Sequence, residues 1–122
     1  MIIDSESSFI TWLDGQLDEC GRDSVVAFII NIYETPFEIE LIGSHEFYPE
    51  DEDWACNEDW VPTNRTVEVS NHLFGRSWED AQEQLVTFAK SYLSSGSNNV
   101  PKIKAAKAFT IGFVDGELVC IK

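Results

Sequence analysis

The sequence predicts an α+β fold: a single domain, residues 1–122, with an antiparallel sheet of about five strands and two helices packed mainly on one face. Three observations predict it. Two stretches repeat apolar residues at helical spacing. Five stretches are β-rich or alternate, and short breaks join two pairs of them. No internal repeat or linker divides the chain, and no second domain is visible.

The elements follow in order. Ser5 to Cys20 reads as the first helix, capped by Asp4 or Ser5, with Phe9, Leu13 and Leu17 on one side beside Ile10 and Trp12. Gly15 weakens it, since glycine inside a helix costs about 1 kcal/mol against alanine. Gly21 suits the C-terminal cap. Ser24 to Glu34, SVVAFIINIYE, is β-branched, aromatic and apolar on both faces, as a central strand is. Thr35-Pro36 breaks it. Phe37 to Gly43 then alternates, with Phe37, Ile39 and Leu41 inward and Glu38 and Glu40 outward, so an antiparallel hairpin is expected.

Next comes HEFYPEDEDWACNEDW, His45 to Trp60. Between residues 46 and 59 stand Glu46, Glu50, Asp51, Glu52, Asp53, Glu58 and Asp59, with no base among them. Pro49 and Pro62 bracket the segment and disfavour a continuous helix or strand. Indoles are costly to leave in water, so Trp54 and Trp60 predict an ordered loop whose carboxylates face outward. The two tryptophans either turn inward and pin the loop or stand in a polar rim as interface anchors.

Arg65 to Ser70 reads as a short strand, with Val67 and Val69 inward. Ser77 and Asp80 approximate a capping box, and Trp78, Ala81, Leu85, Phe88 and Tyr92 form the apolar stripe of the second helix. SSGSNN, Ser94 to Asn99, ends it. Two closing runs, AFTIGFV and ELVCI, flank Asp115-Gly116, a strong hairpin signal.

Composition narrows the function. The formal net charge is −14, which makes nucleic acid and anionic membrane surfaces poor partners and favours a basic one. The charge is polarised: from Asp23 to Asn64 there is no Lys or Arg, while Lys102, Lys104, Lys107 and Lys122 lie near the end. Those lysines either neutralise the acidic loop internally or leave it to a partner. Cys20, Cys56 and Cys120 are odd in number and form no CxxC pair; each is expected to be a small buried hydrophobe in a reducing cytoplasm. No basic stretch leads into an apolar run in MIIDSESSF, so no secretory signal is expected, and no apolar run is long enough to span a bilayer.

Motifs of catalysis are missing. His45, Cys56 and His72 lack the spacing of a zinc motif, and PEDEDWACNEDW lacks the glycine of an EF-hand loop. There is no GxSxG and no glycine-rich phosphate loop. Carboxylates around Cys56 would raise its thiol pKa and blunt it as a nucleophile. The expectation is a binding protein, not an enzyme, and no cofactor.

FEIELIGSHEF (Phe37–Phe47), EDEDWACNEDW (Glu50–Trp60) and AFTIGFVDGELVCI (Ala108–Ile121) together resemble small acidic bacterial proteins of the polymorphic-toxin immunity kind. The acidic Asp-Trp-Ala-Cys segment is the more specific part, and the Asp-Gly hairpin the more generic. The resemblance implies a cytoplasmic protein that binds and blocks a toxin domain, often a basic nuclease whose phosphate ligands an acidic surface can imitate. Glu50, Asp51, Glu52, Asp53, Glu58 and Asp59 would then face the toxin, with Trp54 and Trp60 among them. The alternative is a calcium- or zinc-binding domain that uses the same carboxylates.

Overall fold

A computed structural model describes residues 1–21, 24–114 and 116–122. Among them the chain forms six strands and three α-helices in the order β1 (Ile2–Ile3), α1 (Glu6–Asp18), β2 (Ala27–Tyr33), β3 (Glu38–Ser44), β4 (Thr66–Val69), α2 (Trp78–Leu93), α3 (Val100–Ala105), β5 (Ala108–Phe113) and β6 (Val119–Cys120). The Asp115 half of the expected Asp-Gly turn lies outside the described residues. No helix among those residues is long and apolar enough to cross a membrane.

Both long helices start where their caps predict. The Ser5 hydroxyl accepts from the Ser8 backbone N–H, and the Ser8 hydroxyl in turn accepts from the Ser5 N–H, a reciprocal box. At α2 the Ser77 hydroxyl accepts from the Asp80 N–H. At its other end α1 stops at Asp18 with Glu19 in the cap position, before Gly21 is reached. The Lys102 ammonium takes over the exposed carbonyls there, donating to Leu17 O at 2.7 Å and Cys20 O at 3.1 Å.

The sheet is mixed, which corrects the antiparallel expectation. Its order is β1-β4-β3-β2-β5-β6. The β2–β3 hairpin is antiparallel as expected, with Ile30 opposite Leu41, but β5 runs parallel to β2, with Ile30 opposite Ile111. A parallel neighbour requires a crossover, and the chain between β3 and β5, which carries α2 and α3, supplies it. β1, the strand beyond the expected five, lies parallel to β4 at one edge.

One sheet face carries Phe28, Ile30, Ile32, Ile39, Leu41, Val67, Val69, Phe109 and Ile111. It packs against Phe9, Leu13 and Leu17 of α1, Leu85 and Tyr92 of α2, and Ile103 of α3. Tyr92 also donates its hydroxyl to Asp14 at 2.7 Å, tying α2 to α1; burial first and this bond second raise its pKa. The opposite face is apolar too. Ala27, Ile29, Ile42 and Ala108 form a second, smaller cluster there with the buried Trp54, and Val26, Phe47, Ala55 and Leu118 pack against it.

Candidate partner-binding surface

The acidic loop is built as a cap on that second face. β3 delivers it at Ser44, whose buried hydroxyl donates to Glu46 O at 2.9 Å and accepts from the Glu46 N–H at 3.1 Å and the Asn57 amide at 3.2 Å. The far end returns to the same point. Trp60 and Gly43 exchange both backbone hydrogen bonds, at 2.9 and 3.1 Å, and zip the base of the loop shut. A glycine is needed at 43: a Cβ there would stand 2.8 Å from Val25 Cγ1 and 3.3 Å from the Trp60 ring.

Between these ends residues Glu52–Cys56 form one 3₁₀ turn, opened by the Asp51 carboxylate accepting from the Asp53 N–H at 2.9 Å. The turn drives Trp54 down onto the sheet, where it is 4% exposed and meets the edge of Phe47 at 5.0 Å between ring centroids. Trp54 therefore holds the loop from beneath and does not stand in its outer surface, contrary to the expectation that it contacts a partner. Trp60 is half-buried with its ring edge-on to Phe28 at 6.3 Å, so it serves the fold as well as the rim.

The seven carboxylates divide by partner. Asp51 caps the turn. Asp59 accepts from the His45 backbone N–H at 2.7 Å, Glu46 accepts from Asn57 at 3.3 Å, and Glu58 pairs with Arg65 at 2.5 Å. Glu50, Glu52 and Asp53 are exposed and make no side-chain hydrogen bond or ion pair among the described residues. The lysines do not neutralise them. Lys102 caps α1, Lys122 donates to the carbonyls of Lys104 and Ala106, and Lys104 and Lys107 form no ion pair among the described residues.

The cation that does reach the loop is Arg65. Its guanidinium joins Glu58 to Glu40, with Nε 3.3 Å from Glu40, and the bonds to Glu58 first and Glu40 second raise its pKa. Glu40 was expected to face solvent but is 1% exposed. The second sheet face is covered at this point, and both Glu40 oxygens accept from the Tyr33 hydroxyl at 3.0 Å as well as from Arg65. Burial and that hydrogen bond push the Tyr33 phenol up to about 12.

Among the described residues no three His, Cys, Asp or Glu side chains are grouped to hold a metal ion. His45 lies beside Asp59, whereas His72 is engaged with Ser70 Oγ at 2.7 Å and Asp4 O at 3.1 Å. Cys20 is buried as expected; Cys56 and Cys120 are exposed thiols, on the 3₁₀ turn and on the terminal strand of the sheet, where little packs over them.

No protein-family model, curated protein or solved structure matches the chain. The geometry therefore stands on its own. It brings together Glu50, Asp51, Glu52, Asp53, Glu58 and Asp59 on one capped loop and withdraws Trp54 from it. Sequence reasoning missed two members of the site, Glu40 and Arg65. One signal was present: Arg65 is the first base after a long acidic stretch and is placed to be claimed by it.

Proposed function

We propose that this protein is a non-enzymatic, immunity-type inhibitor that docks a basic effector domain against the outer carboxylates of its acidic loop. The observation that carries the reading is the division of labour within residues 44–60. The apolar side of the loop is spent on the sheet through Trp54 and Phe47, while Glu50, Glu52 and Asp53 are exposed and paired with no cation among the described residues. A solubility tail has no need of a zipped base, a capped turn and a buried indole. A binding surface does, because a rigid loop loses less entropy on docking.

Mechanism follows from electrostatics. A negative patch steers a positive partner into encounter, and occlusion of the partner's own anion-binding site then needs no chemistry from the inhibitor. Glu58 and Asp59 are already engaged and set the edge of the surface; Glu50 to Asp53 form its centre.

The test is co-expression with the protein encoded immediately upstream, scored by copurification and by growth. The expected result is rescue and a salt-sensitive complex. Replacing Glu50, Glu52 and Asp53 with lysine, with the capping Asp51 kept, should lower the association rate at low salt by about tenfold or more and flatten its dependence on salt. Unchanged affinity in that variant would sink the assignment of the surface.

A further inference from the structure

The indole that stands in water is not in the acidic loop. Trp78, at the start of α2, is 50% exposed although its ring meets the edge of Phe113 at 6.0 Å between centroids. With Val86 on the same helix, Leu118 on the approach to β6 and Val119 within it, it lines a groove of about 410 Å³. The groove runs beside β6, the terminal strand of the sheet. Glu79, Gln82, Glu83 and Glu117 complete its lining, and no Lys or Arg belongs to it among the described residues; Lys90 stands one helical turn beyond Val86. Gln82 fixes the two walls by donating to Glu117 O at 3.4 Å.

The groove and the acidic cap have different centres, although Leu118 in the groove lining also packs against the cluster under Trp54. The patch under Trp54 centres on Ala27 and Ala108, whereas Phe113 ends β5 about 16 Å further along the strand at the usual rise per residue. We propose that the Trp78 groove is a second docking surface, for a protein segment that presents an apolar side chain flanked by Lys or Arg. The apolar lining gives such a side chain a place to be buried, and an exposed tryptophan in an apolar depression is the composition of an interface anchor. The charge selects the occupant. A second copy of the chain packed symmetrically would set Glu79, Glu83 and Glu117 against their own counterparts, each copy carrying a formal net charge of −14. Anionic lipid is repelled for the same reason. A basic segment satisfies both the apolar floor and the acidic lining. This inference does not rest on the acidic-loop reading, and either can fail alone.

The experiment titrates the intact protein with an amphipathic helical peptide of leucine and lysine, following the four tryptophan indole N–H resonances by NMR. The Trp78 signal is identified by its loss in Trp78→Phe. A saturable shift of that signal is expected, and a serine–lysine peptide of equal charge should leave it unmoved. The double variant Glu83→Lys/Glu117→Lys, at two exposed positions, should weaken peptide binding about tenfold while the other indole signals keep their positions. A Trp78 signal unmoved by the leucine–lysine peptide overturns the proposal. So does an equal shift with a leucine–glutamate peptide, which would leave the charge without a role. A Trp78 signal that moves when the protein alone is diluted overturns it in favour of a second copy of the chain.

Discussion

Trp54 shows how one side chain can serve a surface it does not belong to. Its indole is packed between Phe47 and the small cluster of Ala27, Ile29, Ile42 and Ala108. Two of those four are alanines, and their small side chains leave room for an indole to lie close to the sheet. Trp54→Ala should cost about 3–5 kcal/mol, the usual range for removing a buried aromatic, if the second face stays dry. If instead the loop lifts away, the loss in global stability is smaller and amide exchange in residues 46–59 rises towards that of an unstructured segment. Urea denaturation together with hydrogen exchange separates the two. Either way binding of the proposed partner should weaken, although Trp54 is only 4% exposed. A variant with normal exchange and normal binding would show that the indole does not organise the loop.

At the scale of elements, the Tyr33–Glu40–Arg65–Glu58 network is what fastens the loop to β2 and β3. It links the end of one strand, the middle of its neighbour and the return of the loop through a single guanidinium. Its pH dependence has a definite sign. The Tyr33 pKa is raised from 10.0 to about 12, by burial and then by the Glu40 hydrogen bond. A raised pKa means that the folded state holds the proton more tightly. The contribution is fully present below pH 10 and is lost as pH rises through about 12. Tyr33→Phe should therefore lose less stability across that window than the parent, and the late tyrosinate absorbance should lose one tyrosine's amplitude near pH 12, leaving that of Tyr92, which is also raised; an unchanged amplitude there would remove Tyr33 as its source. The network also marks the limit of what the sequence discloses. Caps at Ser5 and Ser77 and the alternation of Phe37 to Gly43 are local signals, and the elements they predict are present. Direction is not local: alternation reads the same in parallel and antiparallel strands, so the β2–β5 pairing was invisible. β1 is two residues long and has no period to detect. α3 was hidden because Pro101 reads as a break, yet proline suits a first helical turn. Glu40 fits the outward register of its strand, and its burial goes with the Tyr33 hydroxyl and the Arg65 guanidinium bonded to it, contacts that the alternation of its own strand does not signal. Trp78 fits the helical stripe, but at the first turn of α2 the indole is left half outside the core.

Over the whole molecule, the formal net charge of −14 acts on folding and on binding with opposite signs. Among the described residues the Lys/Arg–carboxylate ion pairs are those of Arg65, so most of the negative charge is balanced by no close partner. Like charges gathered on a compact body repel, and unfolding spreads them apart; salt screens that repulsion, with a Debye length that falls from about 30 Å at 0.01 M to about 8 Å at 0.15 M. The free protein should therefore melt at a higher temperature as sodium chloride rises through that range. Association with a basic partner should slow over the same range, because the same screening removes the steering field. The Glu50/Glu52/Asp53 lysine variant, which keeps the capping Asp51, separates the two effects. It adds positive charge to the loop, so its Tm should be higher at low salt and less responsive to salt, and its association rate should be low throughout. A Tm that falls with salt in the parent protein would mean that attractive pairs outweigh the repulsion, and the acidic surface would then be a structural network with little field to offer a partner.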